Sequence, residues 1–218
     1  MDIDFSPLRR TPKILIDSNQ TSIVDIDPIV ICQNGVVYYD GEAIDKYRGH
    51  LYGWAIDLGT TTVVISLVDL ENGKSITSSA FENPQRFGGS DIMNRISYDG
   101  VYHGELRKAI INAINHEILQ MEEEFGFVRQ EIYEIVTVGN STMRDILFKL
   151  DVQSIGQKPY KSMIEQAYLA GECSTTSLTE KTRRLGIRAN PKARVYGLPL
   201  IASHVGADTA AALVAMDM

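Results

Sequence analysis

"WAIDLGTTTVVISLVDLENGK", residues 54–74, joins two apolar runs through a turn that holds an acid, a glycine and three threonines. A hairpin that only fills a core has no need of Asp57 just before Gly59-Thr60-Thr61-Thr62. Gly59 admits a backbone geometry that a side chain would block. In a strand–turn–strand, the turn amides and threonine hydroxyls can then point at phosphate oxygens. Asp57, at the strand end, suits Mg²⁺ held through water, because that ion dehydrates reluctantly. The same residues also satisfy a plain hairpin, since threonine is a good strand former. On this stretch alone the two readings stand level.

Downstream, Glu71-Asn72-Gly73-Lys74 reads as a second turn and "SITSSAF" as a third strand. Val63, Val64, Ile65, Leu67 and Val68 are apolar at both parities, which predicts a middle strand covered on both faces. "ENPQRFGGSDIMNRI" reads as a loop, punctuated by Gly88-Gly89, that runs into a short helix. Residues 104–125 carry a helical stripe through Leu106, Ile110, Ile114, Ile118 and Met121, with Gly126 as the stop. "EIYEIVTVG" is a strand that ends at Gly139, and Asn140, Ser141 or Thr142 can cap the helix after it. "GECSTTSLTEKT" reads as an exposed loop, "ARVYGLPLIASHVG" as a strand and a loop, and "ADTAAALVAMDM" as an Ala-rich helix. Three antiparallel strands followed by alternating helices and strands predict an α/β domain with a mixed sheet.

Upstream, Asn34-Gly35 between β-branched runs is a hairpin signal, and "TPKILID" could form a further strand. Residues 1–50 read as a linker or the tail of a preceding module, and residues 51–218 as the main domain.

Bulk properties exclude some classes. A net charge of −7 and a pI near 5.1 argue against a nucleic-acid partner, which calls for a basic surface. Cys32 and Cys173 are too few for a four-thiolate iron–sulfur cluster. No apolar run reaches membrane-span length, and "MDIDFSPLRR" is acidic and polar rather than a signal peptide. The expectation is a soluble, cytoplasmic protein without a membrane partner. The four histidines are dispersed, and neither a G-x-x-x-x-G-K-[ST] nor a G-x-S-x-G motif occurs.

Two further stretches carry candidate chemistry. "VTVGNSTM", residues 136–143, ends a strand in Gly139-Asn140 and opens a helix. Free amides there can receive an anion, although simple capping explains the residues when the motif stands alone. "VGADTAAALVA", residues 205–215, sets Gly206 and Asp208 before a run of small residues that lets another backbone pass close by. Asp208 reads most simply as a helix cap, and functionally as a group that orients a water or a hydrated metal ion.

Taken together and in this order, "IDLGTTT", "IVTVGNSTM" and "VGADTAAALVA" resemble the actin-like ATPase superfamily, with the first similar to its phosphate-1 hairpin and the third to its connecting helix. "LYGWAIDLGTTTVVISLVDLENGK", "NPQRFGGSDIMNRI" and "GLPLIASHVGADTAAAL" resemble more closely the ATPase domain of the reductive activators of corrinoid proteins, from about residue 51 onward. The resemblance implies an actin-like (ribonuclease H-like) lobe, an α/β fold with a mixed sheet flanked by helices. It implies ATP and Mg²⁺ as cofactors, and a corrinoid protein, a cobalamin-bearing methyl carrier, as partner. Its activity would be ATP-driven return of Co(II) to Co(I), with the electron supplied by an iron–sulfur cluster.

By residue, the resemblance implies catalytic and metal-holding roles for Asp57 and Asp208. Nucleotide contacts would fall to Gly59, Thr60, Thr61, Thr62, Gly139, Asn140, Gly206 and Thr209, and partner contacts to Ser203 and His204. In the superfamily's chaperones the acid would align with Ala207, whereas the corrinoid activators resemble this chain in having Gly-Ala-Asp. The chain has no cysteine-rich ferredoxin segment and stops before a second phosphate turn, so a fragment is expected, with the cluster in a part absent from it. A small-molecule kinase of the same superfamily and a non-catalytic nucleotide-sensing module are the alternatives.

Overall fold

The computed structural model describes residues 29–201 together with Gly206, Asp208, Thr209 and Ala211. The possible strand "TPKILID" and the candidate partner residues Ser203 and His204 lie outside the described residues.

Three short strands come first: β1 (Val30–Gln33), β2 (Val36–Tyr39) and β3 (Glu42–Lys46), in an antiparallel meander. The hairpin expected at Asn34-Gly35 joins β1 to β2. Val30, Val37, Tyr39 and Ile44 bury one face of this sheet against Leu51 and Tyr133. Asp45 accepts hydrogen bonds from Asn190 Nδ2 (2.8 Å) and Tyr133 Oη (3.3 Å), which fasten the small sheet to the larger one.

The larger sheet holds β4 (Tyr52–Leu58), β5 (Thr62–Asp69), β6 (Ser75–Glu82), β7 (Ile132–Gly139), β8 (Leu178–Lys181) and β9 (Arg194–Gly197), in the order β6-β5-β4-β7-β9-β8. β4, β5 and β6 are antiparallel, β7 and β9 run parallel to β4, and β8 is antiparallel to β9. This is the mixed sheet of an α/β domain expected from the sequence.

Helices α1 (Ile92–Val101) and α2 (Glu105–Phe125) lie between β6 and β7 in sequence, and α3 (Ser141–Leu147), α4 (Met163–Leu169) and α5 (Thr182–Leu185) follow β7. The stripe Leu106, Ile110, Ile114, Ile118 and Met121 on α2 is fully buried, and Gly126 ends the helix in the left-handed conformation. It shares one core with Trp54, Ile56 and Leu58 of β4 and Val63, Ile65 and Leu67 of β5.

Two expectations need correction. β5 is not covered equally on both faces: Val63, Ile65 and Leu67 are buried, while Val64, Ser66 and Val68 are half-buried. The reason is register, because Val64 pairs with Asp57 and Ser66 with Ala55, on the side of the sheet where both partners are exposed. Nor is "GECSTTSLTEKT" an exposed loop throughout. Thr176, Ser177 and Leu178 are buried, and β8 adds an edge to the sheet beside β9.

A buried ion pair sits within α3. Arg144 and Asp145 are both fully buried and lie 2.8 Å apart. Arg144 Nη1 also donates to Thr176 O (2.8 Å) and Leu198 O (2.9 Å), and so anchors the chain that leaves β9 toward Gly206.

Candidate functional site: a threonine-rich turn with two carboxylates

Parallel pairing of β4 with β7 places Asp57 opposite Val138 and Leu58 opposite Gly139, so the first two candidate motifs end side by side. The approach is close enough to need glycine. A Cβ on Gly139 would lie 2.7 Å from Leu58 O, and one on Gly59 would lie 2.5 Å from Thr62 O. The demand at Gly59 is therefore crowding by backbone, not a left-handed turn. Gly206 brings in the third motif: its Cβ would meet Asn140 Cα at 2.6 Å and Gly139 O at 2.7 Å. Three stretches far apart in sequence thus meet at one end of the sheet.

Asn140 ties two of them together. Its Oδ1 accepts from Met143 N (3.0 Å), capping α3, while its Nδ2 donates to Thr60 Oγ1 (3.0 Å). The capping reading and a contact with the first turn therefore hold at once.

The turn itself is held from one side. Asn83 Nδ2 donates to Gly59 O (2.8 Å), Arg95 Nη2 to Thr60 O (2.6 Å), and Asn83 N to Thr61 O (2.7 Å). Among the described residues, the amides of Thr60 and Thr61 have no hydrogen-bond acceptor. Thr61 and Thr62 are exposed and Thr60 is half-buried, so these groups are open to a ligand.

Asp57 is exposed at the end of β4, and Asp208 is exposed with Oδ1 accepting from Thr209 N (2.8 Å). Partial desolvation raises the Asp57 carboxyl above the usual carboxylate range, and the negative charge of Asp208 raises it further. The negative charge of Asp208 thus reaches Asp57, and a bound cation would offset it. Hard carboxylate oxygens suit Mg²⁺, which takes one or two protein carboxylates and completes its shell with water and phosphate oxygens. Among the described residues no cluster of three or more His, Cys, Asp or Glu offers an all-protein metal site. Both the donor set and the free amides therefore fit a magnesium-bound polyphosphate.

Sequence reasoning overlooked Asn83 and Arg95. Both lie in "NPQRFGGSDIMNRI", but in sequence Asn83 is an ordinary loop residue and Arg95 an ordinary helix cation. Only the fold shows that Asn83 is fully buried and Arg95 only 1% exposed.

Residues 52–218 match the model of the RACo middle region. The corrinoid activation enzyme RamQ of Eubacterium limosum is 31% identical over 169 residues, which cover 76% of this chain. A solved reductive activator for corrinoid, iron–sulfur protein is 32% identical and superposes with a TM-score of 0.72 over 83% of this chain. The archaeal actin homologue Ta0583 is 13% identical, with a TM-score of 0.28 over 51% of this chain and 40% of its own. The chain spans 27% of the length of RamQ and 29% of that of the reductive activator. The chain belongs to the RACo middle region family and is similar there to a corrinoid activation enzyme and to a reductive activator for corrinoid, iron–sulfur protein.

Proposed function

We propose that this chain forms the first lobe of the ATP site in a reductive activator that returns the cobalt of a corrinoid protein from Co(II) to Co(I). The observation that carries this reading is the turn: three consecutive carbonyls are tied back, and among the described residues two amides have no acceptor, beside the exposed Asp57 whose carboxyl is raised by desolvation and by the charge of Asp208. The Thr60 and Thr61 amides, with the hydroxyls of Thr60, Thr61 and Thr62, receive phosphate oxygens. Asp57 and Asp208 hold Mg²⁺ through its water, and Asp208 also orients the attacking water. Gly59, Gly139 and Gly206 keep the backbones close, Asn140 fixes Thr60, and Thr209 adds a hydroxyl at the rim. ATP bound between two lobes can drive an unfavourable reduction only if the closed form favours a different cobalt ligation state. The electron comes from an iron–sulfur cluster outside this chain.

Replacing Asp57 with alanine in the complete gene product tests the reading. ATP-dependent reduction of the corrinoid cobalt should fall by at least ~100-fold, the scale of losing one electrostatic group at a reacting centre. Binding to the corrinoid protein should be spared. Reduction that survives in Asp57→Ala would defeat the assignment.

A further inference from the structure

Arg95 presents a problem that its role in packing does not solve. A buried guanidinium is costly unless paired, yet among the described residues no carboxylate forms an ion pair with it. Its partners are two carbonyls and a thioether: Nε donates to Gly89 O (3.0 Å), Nη2 to Thr60 O (2.6 Å) and Nη1 to Met143 Sδ (3.0 Å). A planar fork with fixed donor directions is thus spent on holding three points from two loops and α3. Asn83 works in parallel. Its side chain binds Gly59 O and caps Gln85 N (2.9 Å), while its own amide binds Thr61 O.

A trans peptide is planar, and its C=O and the next residue's N–H point in opposite directions. Tying back the carbonyls of Gly59, Thr60 and Thr61 therefore turns the amides of Thr60, Thr61 and Thr62 the other way. We infer that Arg95 and Asn83 are positioning residues that preset these amides for phosphate before any nucleotide arrives. Neither touches the ligand; both act through the peptide planes of the turn. The inference rests on the phosphate reading of this turn and adds which residues build it. It also assigns a use to "NPQRFGGSDIMNRI": Gly88 and Gly89 give the room in which the segment folds back, since a Cβ on Gly89 would lie 2.4 Å from Asn94 Cβ.

The test is a titration of the complete gene product, labelled with ¹⁵N at threonine, with Mg·ATP and separately with magnesium tripolyphosphate, followed at the backbone amides. In the unaltered chain both ligands should shift the amides of Thr60, Thr61 and Thr62. Arg95→Lys keeps the charge and loses the fork, and it should weaken both ligands at least tenfold while the remaining spectrum stays that of the folded chain. If the unaltered chain shows no shift at those amides with either ligand, the phosphate reading fails, and this inference with it. If they shift normally but Arg95→Lys binds with unchanged affinity and the same shifts, the positioning role is overturned and the phosphate site stands. Should Arg95→Lys not fold, Asn83→Ser gives the same readout. It keeps an oxygen for the Gln85 amide and the backbone bond to Thr61, and removes the Nδ2 donor shared by Gly59 O and Gln85 Oε1 (3.2 Å).

Discussion

Two turns in this chain each join antiparallel strands and are built on opposite principles. At Asn34-Gly35 both residues are left-handed, with φ of 51° and 73°, and a Cβ on Gly35 would meet nothing within 4 Å. That turn takes its shape from its own residues, as a two-residue hairpin does. From Gly59 to Thr62 no residue is left-handed, and the shape comes from Asn83, Arg95 and Asn140, which lie far along the chain. A turn that only reverses direction can be local. A turn that must offer its amides to a ligand needs its carbonyls held by someone else.

The largest expected effect that sharpens this contrast lies where the two sheets meet, because the hairpin sheet is seated by burial. Glu134 of β7 has its carboxyl pushed up to about 7 by desolvation, from an ordinary 4.5, and its charge is felt by Tyr39 of β2. The folded state therefore holds this proton more tightly than the unfolded chain. Stability is full below the unfolded value of about 4.5 and is lost as pH rises through about 7, a change on the order of 3 kcal/mol. Thermal melts between pH 4 and 8 should show that decline in the native chain and a flatter profile in Glu134→Gln; equal slopes would mean that the seam does not depend on a neutral Glu134.

A smaller effect is expected at the first turn of the site. Gly59→Ala puts a methyl against a backbone oxygen that cannot swing away, and should cost about 2 kcal/mol. Denaturant unfolding measures the cost, and nucleotide titration should show Mg·ATP binding lost with it. Retained binding at full affinity would show that the turn tolerates displacement, and the contrast between the turns would collapse. The smallest effect belongs to the hairpin. Gly35→Ala should cost about 1 kcal/mol through its left-handed backbone, with nucleotide binding untouched.

The same division explains what the sequence disclosed. The α2 stripe, the Gly126 stop, the Asn34-Gly35 hairpin and the strand ending at Gly139 are local patterns, and each stands where its period or its turn residues put it. The order of three motifs suggests that Asp57 and Asp208 serve one site, and the Cβ contacts of Gly206 with Asn140 and Gly139 bring the third motif to the end of β7. What stayed hidden is nonlocal. Thr176-Ser177-Leu178 has a loop's composition and is buried because Arg144 binds Thr176 O and β9 accepts an edge strand beside it. Arg95 sits in a helix with a charge and no periodic reason to be inside; its burial depends on a turn more than thirty residues earlier, and its partners there are backbone atoms that no side-chain pattern records.

The crowding at Gly206 also bears on how such a site can change over generations. Alanine is the smallest possible replacement, and it would strike the backbone at Asn140 and Gly139. The usual remedy, a smaller partner, does not exist, because the partners are a main-chain Cα and a main-chain oxygen. Gly139 cannot retreat either, being itself against Leu58 O. Single substitutions at this junction therefore have no compensating second step nearby. In descendants of this sequence the junction itself is inherited whole or lost.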